Sequence, residues 1–433
     1  MYRKALIGAL FLIGTIVCGG PSMHVARAEH PLDGQVPEVT PTVTLEGLVD
    51  EALEHNPAIQ AARSAVDAKQ SLVVSAKTLP DPTITVQTMG DPAPFNLQTG
   101  DPSSARTVSI EQEIPFPGKL GVKGKIAGME AEAERWNYEQ TRCQVIADLK
   151  QAYYDLYLIY RSLDTVRKDK GLLERFEQIA QARYRVGQGV QQDVLKAQVE
   201  ISKLIDRSTV LEQRKGTSEA LINSLLDRQP DTALGKPAEL QKTELHYSLE
   251  QLYQHAQEHS PLLKMQEREI DRSQFAVHAA EREYYPDFSM GFTYFNREGN
   301  PAMYGYMLGA KVPLYFWRKQ RPEVEGARSG LASAQRQRVS LLSSLYSKLK
   351  DGYLRANASE QLITLYGKGI IPQATLSLES AVAGYQVGKV DFLTLLDNLV
   401  TLLEYELKYY EVLTDFQKVL AQLEPLVGVE LTR

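Results

Sequence analysis

Apolar and polar residues alternate on both sides of a turn between Asp287 and Val312. Phe288, Met290, Phe292 and Tyr294 share one face of a strand predicted over residues 287–295, and Ser289, Gly291 and Thr293 share the other. The chain turns through Asn296, Gly299, Asn300 and Pro301 and returns over 304–312. There Tyr306, Leu308, Ala310 and Val312 face one way, and Gly305, Gly309 and Lys311 the other. Such alternation over roughly ten residues, with aromatics near the tip, is how a membrane-spanning hairpin of an outer-membrane barrel is written. A soluble two-faced hairpin carries the same alternation. A second pair of strands is predicted at 83–89 and 107–114. Ile84 and Val86 oppose Thr83, Thr85 and Gln87; Val108, Ile110 and Ile114 oppose Thr107, Ser109, Glu111 and Glu113.

Between these strands the spacing changes to three and four residues. Leu149, Tyr153, Leu156, Tyr160 and Leu163 mark one seam of a helix predicted from about 119 to 184. Gly187 and Gly189 break it, and a helix follows from about 190 to 227. Another long run covers 319–385, is broken at Gly388, and returns as 392–426. Before each strand pair lies a shorter helical stretch: 44–79, capped by Thr44 with a pause at Asn56-Pro57, and 248–283. A run of about 65 residues spans on the order of 100 Å.

The two halves repeat one another. At one constant offset Leu45-Glu46 falls on Leu249-Glu250, Glu54-His55 on Glu258-His259, Pro57 on Pro261 and Pro82 on Pro286. At a slightly smaller offset Tyr184-x-Val186-Gly187 falls on Tyr385-x-Val387-Gly388. The predicted organisation is a first repeat at 44–229, a linker at 230–242, a second repeat at 243–427 and a tail at 428–433. The fold class is mainly α with a small β part: an internally duplicated, long antiparallel helical barrel carrying four strands. A membrane barrel needs about eight or more strands, because an open edge in lipid leaves backbone groups unpaired. Two chains supply eight and three supply twelve, so strands that enter the membrane demand an oligomer. A soluble coiled-coil bundle would leave the strands unexplained.

Composition narrows this further. The formal net charge is −6, with no basic patch interleaved with aromatics, which argues against nucleic acid as a partner. Residues 1–28 read as a signal peptide: Arg3 and Lys4, an apolar run from Ala5 to Val17, and Ala26-Arg27-Ala28 as the cleavage site. Lipoprotein processing at Cys18 is the alternative. Residues 29–43 read as an extended tail. After cleavage Cys143 is the one remaining thiol and packs in a helix. No internal apolar run is long enough for a transmembrane helix.

Candidate chemistry is sparse. There is no glycine-rich phosphate loop, no Cys-x-x-Cys and no Gly-x-Ser-x-Gly. His255 and His259 have the spacing of a zinc grip, but His55, the repeat equivalent of His259, has no histidine four residues before it. Met290, Met303 and Met307 surround the second hairpin, where core or lipid contact accounts for them. The expectation is a protein without catalytic residues, metal site or cofactor.

With these residues in view, the chain resembles the TolC-like outer-membrane efflux family from about Thr44 to Val427. The resemblance rests on the duplicated plan, Ala-Leu-Glu-His-Asn-Pro at 52–57, the two Tyr-x-Val-Gly turns and Val312-Pro313-Leu314. It implies a homotrimer whose strands form one twelve-stranded barrel in the bacterial outer membrane, with a helical tunnel in the periplasm. Such a duct passively serves an inner-membrane pump of the proton-driven RND type through a periplasmic membrane-fusion adaptor. Gln112-Glu113-Ile114-Pro115-Phe116-Pro117-Gly118-Lys119 is similar to the heavy-metal (CzcC- and CusC-like) branch. A drug-efflux duct, a type I protein-secretion duct and a non-pore periplasmic scaffold are the alternatives. The resemblance further implies adaptor contact at Val186, Gly187, Val387 and Gly388, and a periplasmic gate at Asp193, Tyr385 and Asp397. The gate tyrosine's usual arginine partner is replaced by Val390, beside Lys389, and Thr394 stands where a second carboxylate is expected.

Overall fold

The computed structural model describes residues 42–89, 104–240, 245–297 and 300–431. The signal peptide 1–28, with its rival cleavage sites at Cys18 and Ala28, lies outside the described residues, as do residues 29–41 of the tail. The elements run β1 (Thr42–Val43), α1 (Leu45–His55), α2 (Pro57–Lys77), β2 (Thr83–Met89), β3 (Ala105–Ile114), α3 (Lys119–Arg185), α4 (Gln191–Leu225) and β4 (Lys236–Pro237). They continue with α5 (Leu249–His259), α6 (Pro261–Arg282), β5 (Asp287–Asn296), β6 (Met303–Lys311), α7 (Gln320–Leu365), a π-helical turn (Tyr366–Ile370), α8 (Ile371–Gln386) and α9 (Phe392–Val427). Apart from the two-residue strands, both halves pass through the same order of elements.

Proline and capping residues place the helix boundaries. The Asn56 side chain accepts from the amides of Ala58 and Ile59 and starts α2, with Pro57 in the first turn, where its missing N–H costs nothing. Asn56 also donates to the Leu225 carbonyl, tying the α1–α2 joint to the end of α4. The predicted 248–283 helix is likewise two, split at Ser260-Pro261, and Ser248 and Gln251 form a capping box at its start. Thr44 occupies the N-cap position of α1, but its side chain accepts no hydrogen bond there. The end of the extended tail pairs with the linker: Thr42–Val43 lies parallel to Lys236–Pro237. Tyr153 pins that pair, its hydroxyl donating to the Val43 carbonyl and accepting from the Ala238 amide.

The second long run is not one α-helix. Pro372 has no N–H to give the Lys368 carbonyl, and its ring crowds that turn. The helix absorbs this with a π turn, in which the Ile371 amide reaches back to the Tyr366 carbonyl. Gly367 and Gly369 sit in that turn, and a Cβ on Gly367 would stand 3.2 Å from Tyr409. The matching stretch of α3 has no proline and stays continuous.

The four long strands form one antiparallel sheet in the order β2-β3-β5-β6. The register puts Ile84 opposite Ile110, Ile110 opposite Phe292 and Phe292 opposite Tyr306. One face is therefore apolar across every strand, and its side chains are exposed in the single chain. The other carries Thr85, Ser109, Glu111, Ser289, Thr293 and Gly309. β2 and β6 each have one strand neighbour in this sheet, so each presents an open edge.

Pro115-Phe116-Pro117-Gly118-Lys119 turns the chain from β3 into α3. Gly118 has φ +89°, and a Cβ there would meet the Arg282 guanidinium at 2.5 Å. Arg282 donates to the Pro117 carbonyl, and Phe116 stacks on Tyr285 at 4.6 Å. The buried Lys119 ammonium joins Glu283 at 3.1 Å and Asp287 at 2.9 Å, and Asp287 also accepts from the Phe116 amide. Phe116, Pro117, Gly118 and Lys119 are thus all engaged in holding a corner.

Three apolar clusters pack the helices. The first joins α3, α4, α8 and α9, the second α5, α6, α7 and α9, and the third α1, α2, α3, α4 and α9. Buried charges interrupt this packing. Lys150 of α3 pairs with Glu424 of α9 at 2.8 Å. Asp169 of α3 is 1% exposed, lines a cavity of about 230 Å³ between α3, α4 and α9, and has one carboxylate oxygen without a hydrogen-bond partner among the described residues. Burial and the neighbouring Glu406 carboxylate push its pKa up to about 6, against the pull of Lys168.

Candidate functional site at the paired helix turns

The turns that join α3 to α4 and α8 to α9 share one geometry. Gly187 and Gly388 both adopt φ +74°, in the left-handed region that glycine occupies without strain. The Gly187 amide donates to the Tyr184 carbonyl and the Gln188 amide to that of Arg183; Gly388 and Lys389 repeat the pair onto Tyr385 and Gly384. This is the Schellman closure of a helix C-terminus. Both turns leave a valine in solvent, Val186 at 68% and Val387 at 69%.

Beyond the turns the copies diverge. Tyr184 is 46% exposed, whereas Tyr385 is 4% exposed and packs edge-on against Phe392. Arg183 explains the difference. Its guanidinium lies 4.7 Å from the Tyr385 ring centroid and donates to the Tyr385 carbonyl at 2.5 Å and to Gln188 at 3.4 Å. A cation therefore caps the carbonyl end of α8 from the other turn. Steric exchange makes room for it. Arg183 faces Gly189 in the first turn; at the equivalent positions of the second, Gly384 faces Val390, and a Cβ on Gly384 would meet Val390 at 2.5 Å. Val390 stands where the resemblance implies an arginine, yet Tyr385 has an arginine beside it, supplied by α3. The size swap between the repeats is the sequence signal that could have found it.

The remaining candidates divide. Asp193 sits half-buried in the first turn of α4. Burial pushes its carboxyl above the ordinary range, Lys196 and Arg183 pull it back, and Asp391 adds to the rise. Burial also pushes up the Tyr385 hydroxyl, with Arg183 opposing and Asp193 adding. Asp391, absent from the expected set, caps α9: its side chain accepts from the Thr394 amide at 2.8 Å, and the Thr394 hydroxyl together with that amide holds its carboxyl below the usual range. Arg183, Asp193, Tyr385 and Asp391 thus form one electrostatic group. Asp397 stands apart, exposed on α9, with no ion pair among the described residues. Thr394 contributes its hydroxyl and amide to Asp391 rather than a charge.

Elsewhere the histidine pair has ring centroids 5.9 Å apart, and no group of three metal-ligating side chains occurs among the described residues. Met290 belongs to the apolar face of the sheet, opposite Leu308, while Met307 belongs to the polar face, opposite Gly291, so the methionines do not converge.

The chain is similar to known proteins over most of its length. The family described as "Outer membrane efflux protein" matches residues 48–225 and 252–429, one segment in each repeat. The chain is 22% identical over 402 residues to the cobalt-zinc-cadmium resistance protein CzcC of Cupriavidus metallidurans, covering 90% of this chain and 91% of that protein. It is also 22% identical over 406 residues to the outer membrane efflux protein BepC of Brucella suis, covering 89% of this chain and 82% of that one. Among solved structures, the outer membrane protein VceC of Vibrio cholerae has the same fold, with a TM-score of 0.76 at 16% identity over 89% of this chain and 96% of VceC.

Proposed function

Because the chain belongs to the outer membrane efflux protein family, we propose that three copies close a twelve-stranded barrel that receives heavy-metal cations from a proton-driven inner-membrane pump through a periplasmic adaptor. The protein is an outer-membrane exit duct with its helices in the periplasm, a channel rather than an enzyme. The observation that carries the assembly is the open sheet. Its apolar face is exposed across four strands, and β2 and β6 end in unpaired edges. In lipid those edges need partners. Copies of the same chain supply them, β6 of one against β2 of the next, and the polar face then lines the lumen.

The cargo reading rests on the Gln112–Lys119 segment and the likeness to CzcC. The equal identity to BepC, and the engagement of that segment in a corner, keep a drug or protein-secretion duct as the second reading. Growth of a deletion strain on graded cobalt, zinc, cadmium, copper and silver, beside an antibiotic panel, separates them. Sensitivity confined to one or two metals is expected. Sensitivity confined to antibiotics overturns the metal assignment.

We further read the paired turns as the closed end of the duct. Arg183 latches the α8–α9 hairpin to the α3–α4 hairpin, Asp193 and Asp391 balance its charge, and Asp397, in three copies, lines the passage with carboxylates that favour cations. The exposed Val186 and Val387, beside Gly187 and Gly388, are the surface for the adaptor. Release of the latch shifts a two-state equilibrium toward the open tip. Arg183→Ala removes a stacked, hydrogen-bonded cation worth about 2 kcal/mol, so the open fraction should rise on the order of 30-fold. Single-channel conductance of purified trimers in planar bilayers reads this directly, and a conductance equal to wild type would sink the latch.

A further inference from the structure

The turn between β6 and α7 has a composition that neither the barrel nor the helices require. After Lys311 the chain exposes Val312, Leu314, Tyr315, Phe316 and Trp317 in quick succession. It is a built turn. The Arg318 and Lys319 amides both donate to the Tyr315 carbonyl, at 2.9 and 3.0 Å, and the Arg321 amide donates to Phe316 at 2.9 Å. Trp317 stands edge-on to Phe316 at 5.0 Å, and Phe316 in turn reaches Tyr284 at 6.5 Å. Exposed aromatics are thus held in place beside the lower rim of the apolar sheet face.

Two cations follow them. Arg318 and Lys319 are exposed, and neither has a carboxylate within ion-pair distance among the described residues. Arg321, one turn on, does pair, with Glu325 at 3.4 Å. The carboxylates of the corner, Glu283 and Asp287, are engaged by Lys119. Lys311 and Lys319 flank the same cavity of about 200 Å³ as Lys119, Glu283 and Asp287, so its ammonium groups outnumber its carboxylates.

We propose that this turn seats the headgroup of an anionic phospholipid in the inner leaflet of the outer membrane, with Arg318 and Lys319 on the phosphate and the aromatic residues among the upper acyl carbons. The assignment rests on the duct reading, which puts the sheet in the membrane. The turn lies at the helix-bearing ends of the strands, hence on the periplasmic side, where the lipid is phospholipid. Aromatic side chains settle at such interfaces, and unpaired Lys and Arg add attraction to anionic headgroups. The seat is continuous with the lipid-facing surface, and its surplus charge is complementary to a phosphate.

The chain has two tryptophans, so Trp136→Phe leaves Trp317 as the sole indole reporter. Trimers of this variant go into phosphatidylethanolamine vesicles containing equal fractions of brominated phosphatidylglycerol or brominated phosphatidylcholine. Quenching by the anionic lipid should be about twofold stronger. Arg318→Gln with Lys319→Gln should make the two lipids equivalent. Equal quenching in the parent overturns the inference and leaves the duct intact. A preference that survives the double substitution overturns the assignment to these two residues. No quenching by either lipid, with trimers preserved, removes the turn from the membrane and takes the placement of the sheet with it.

Discussion

Lys150→Met is expected to destabilise the protein by about 3–5 kcal/mol, because it strands a carboxylate inside the helical packing. Lys150 and Glu424 are 3% and 8% exposed, and the ammonium reaches both carboxylate oxygens, at 3.0 and 2.8 Å. Glu424 also accepts from the Leu431 amide at 2.9 Å, so the pair ties α3, α9 and the chain's last described residues together. Around it Leu149, Leu420 and Ala421 are fully buried, so a lone carboxylate there loses most of its hydration. The ion pair itself adds little net stability, since both partners lost their hydration to form it. A double variant, Lys150→Met with Glu424→Leu, should therefore recover most or all of the loss. Thermal unfolding of detergent-solubilised protein, followed by circular dichroism, compares the three chains. A double variant as unstable as the single one would refute the account.

Asp169→Asn should do the opposite, and only away from acid. The carboxyl titrates at about 6 in the folded chain against an ordinary value of 3.8, because burial and Glu406 both oppose its charge. The folded state therefore holds a proton that the unfolded state has lost between those values. Stability falls as pH rises through that window, and above it the native state carries the full penalty, about 3 kcal/mol. The uncharged amide mimics the protonated carboxyl and removes the penalty. The gain should be about 3 kcal/mol at pH 7.5, about half of that at pH 5 and under about 1 kcal/mol at pH 4. Melting curves of both proteins at these three values provide the check, and a gain independent of pH would point to packing instead of charge. Glu200, Lys203, Arg207 and Glu404 share the cavity, so the comparison belongs at one ionic strength.

Strand alternation and glycine turns could be read from sequence because each depends on near neighbours. The period-two pattern at 83–89 and 287–295 determines its own faces, and Gly187 and Gly388 sit where only a left-handed residue closes the helix. The offset between repeats supplied the long-range order. What stayed hidden depends on contacts across the fold. Arg183 looks like a solvated helix residue until α8 is brought beside it, and Lys150 and Asp169 differ from the surface charges of α3 only in what α9 lays over them. The split at Ser260 had a visible cause in Pro261, already matched to Pro57. The π turn had one too, in Pro372 with its two preceding glycines, but helical periodicity on both sides ran straight through it.

That turn has a consequence for the duplication itself. Residues 119–185 and 320–386 are equal in number, so letter for letter the two arms remain aligned down to Tyr184 and Tyr385. One residue spent in a wider turn rotates everything after it by about 100° about the helix axis. The same Tyr-x-Val-Gly text leaves its tyrosine exposed in one arm and buried under Arg183 in the other, so a duplicated gene yields two tips with different surfaces.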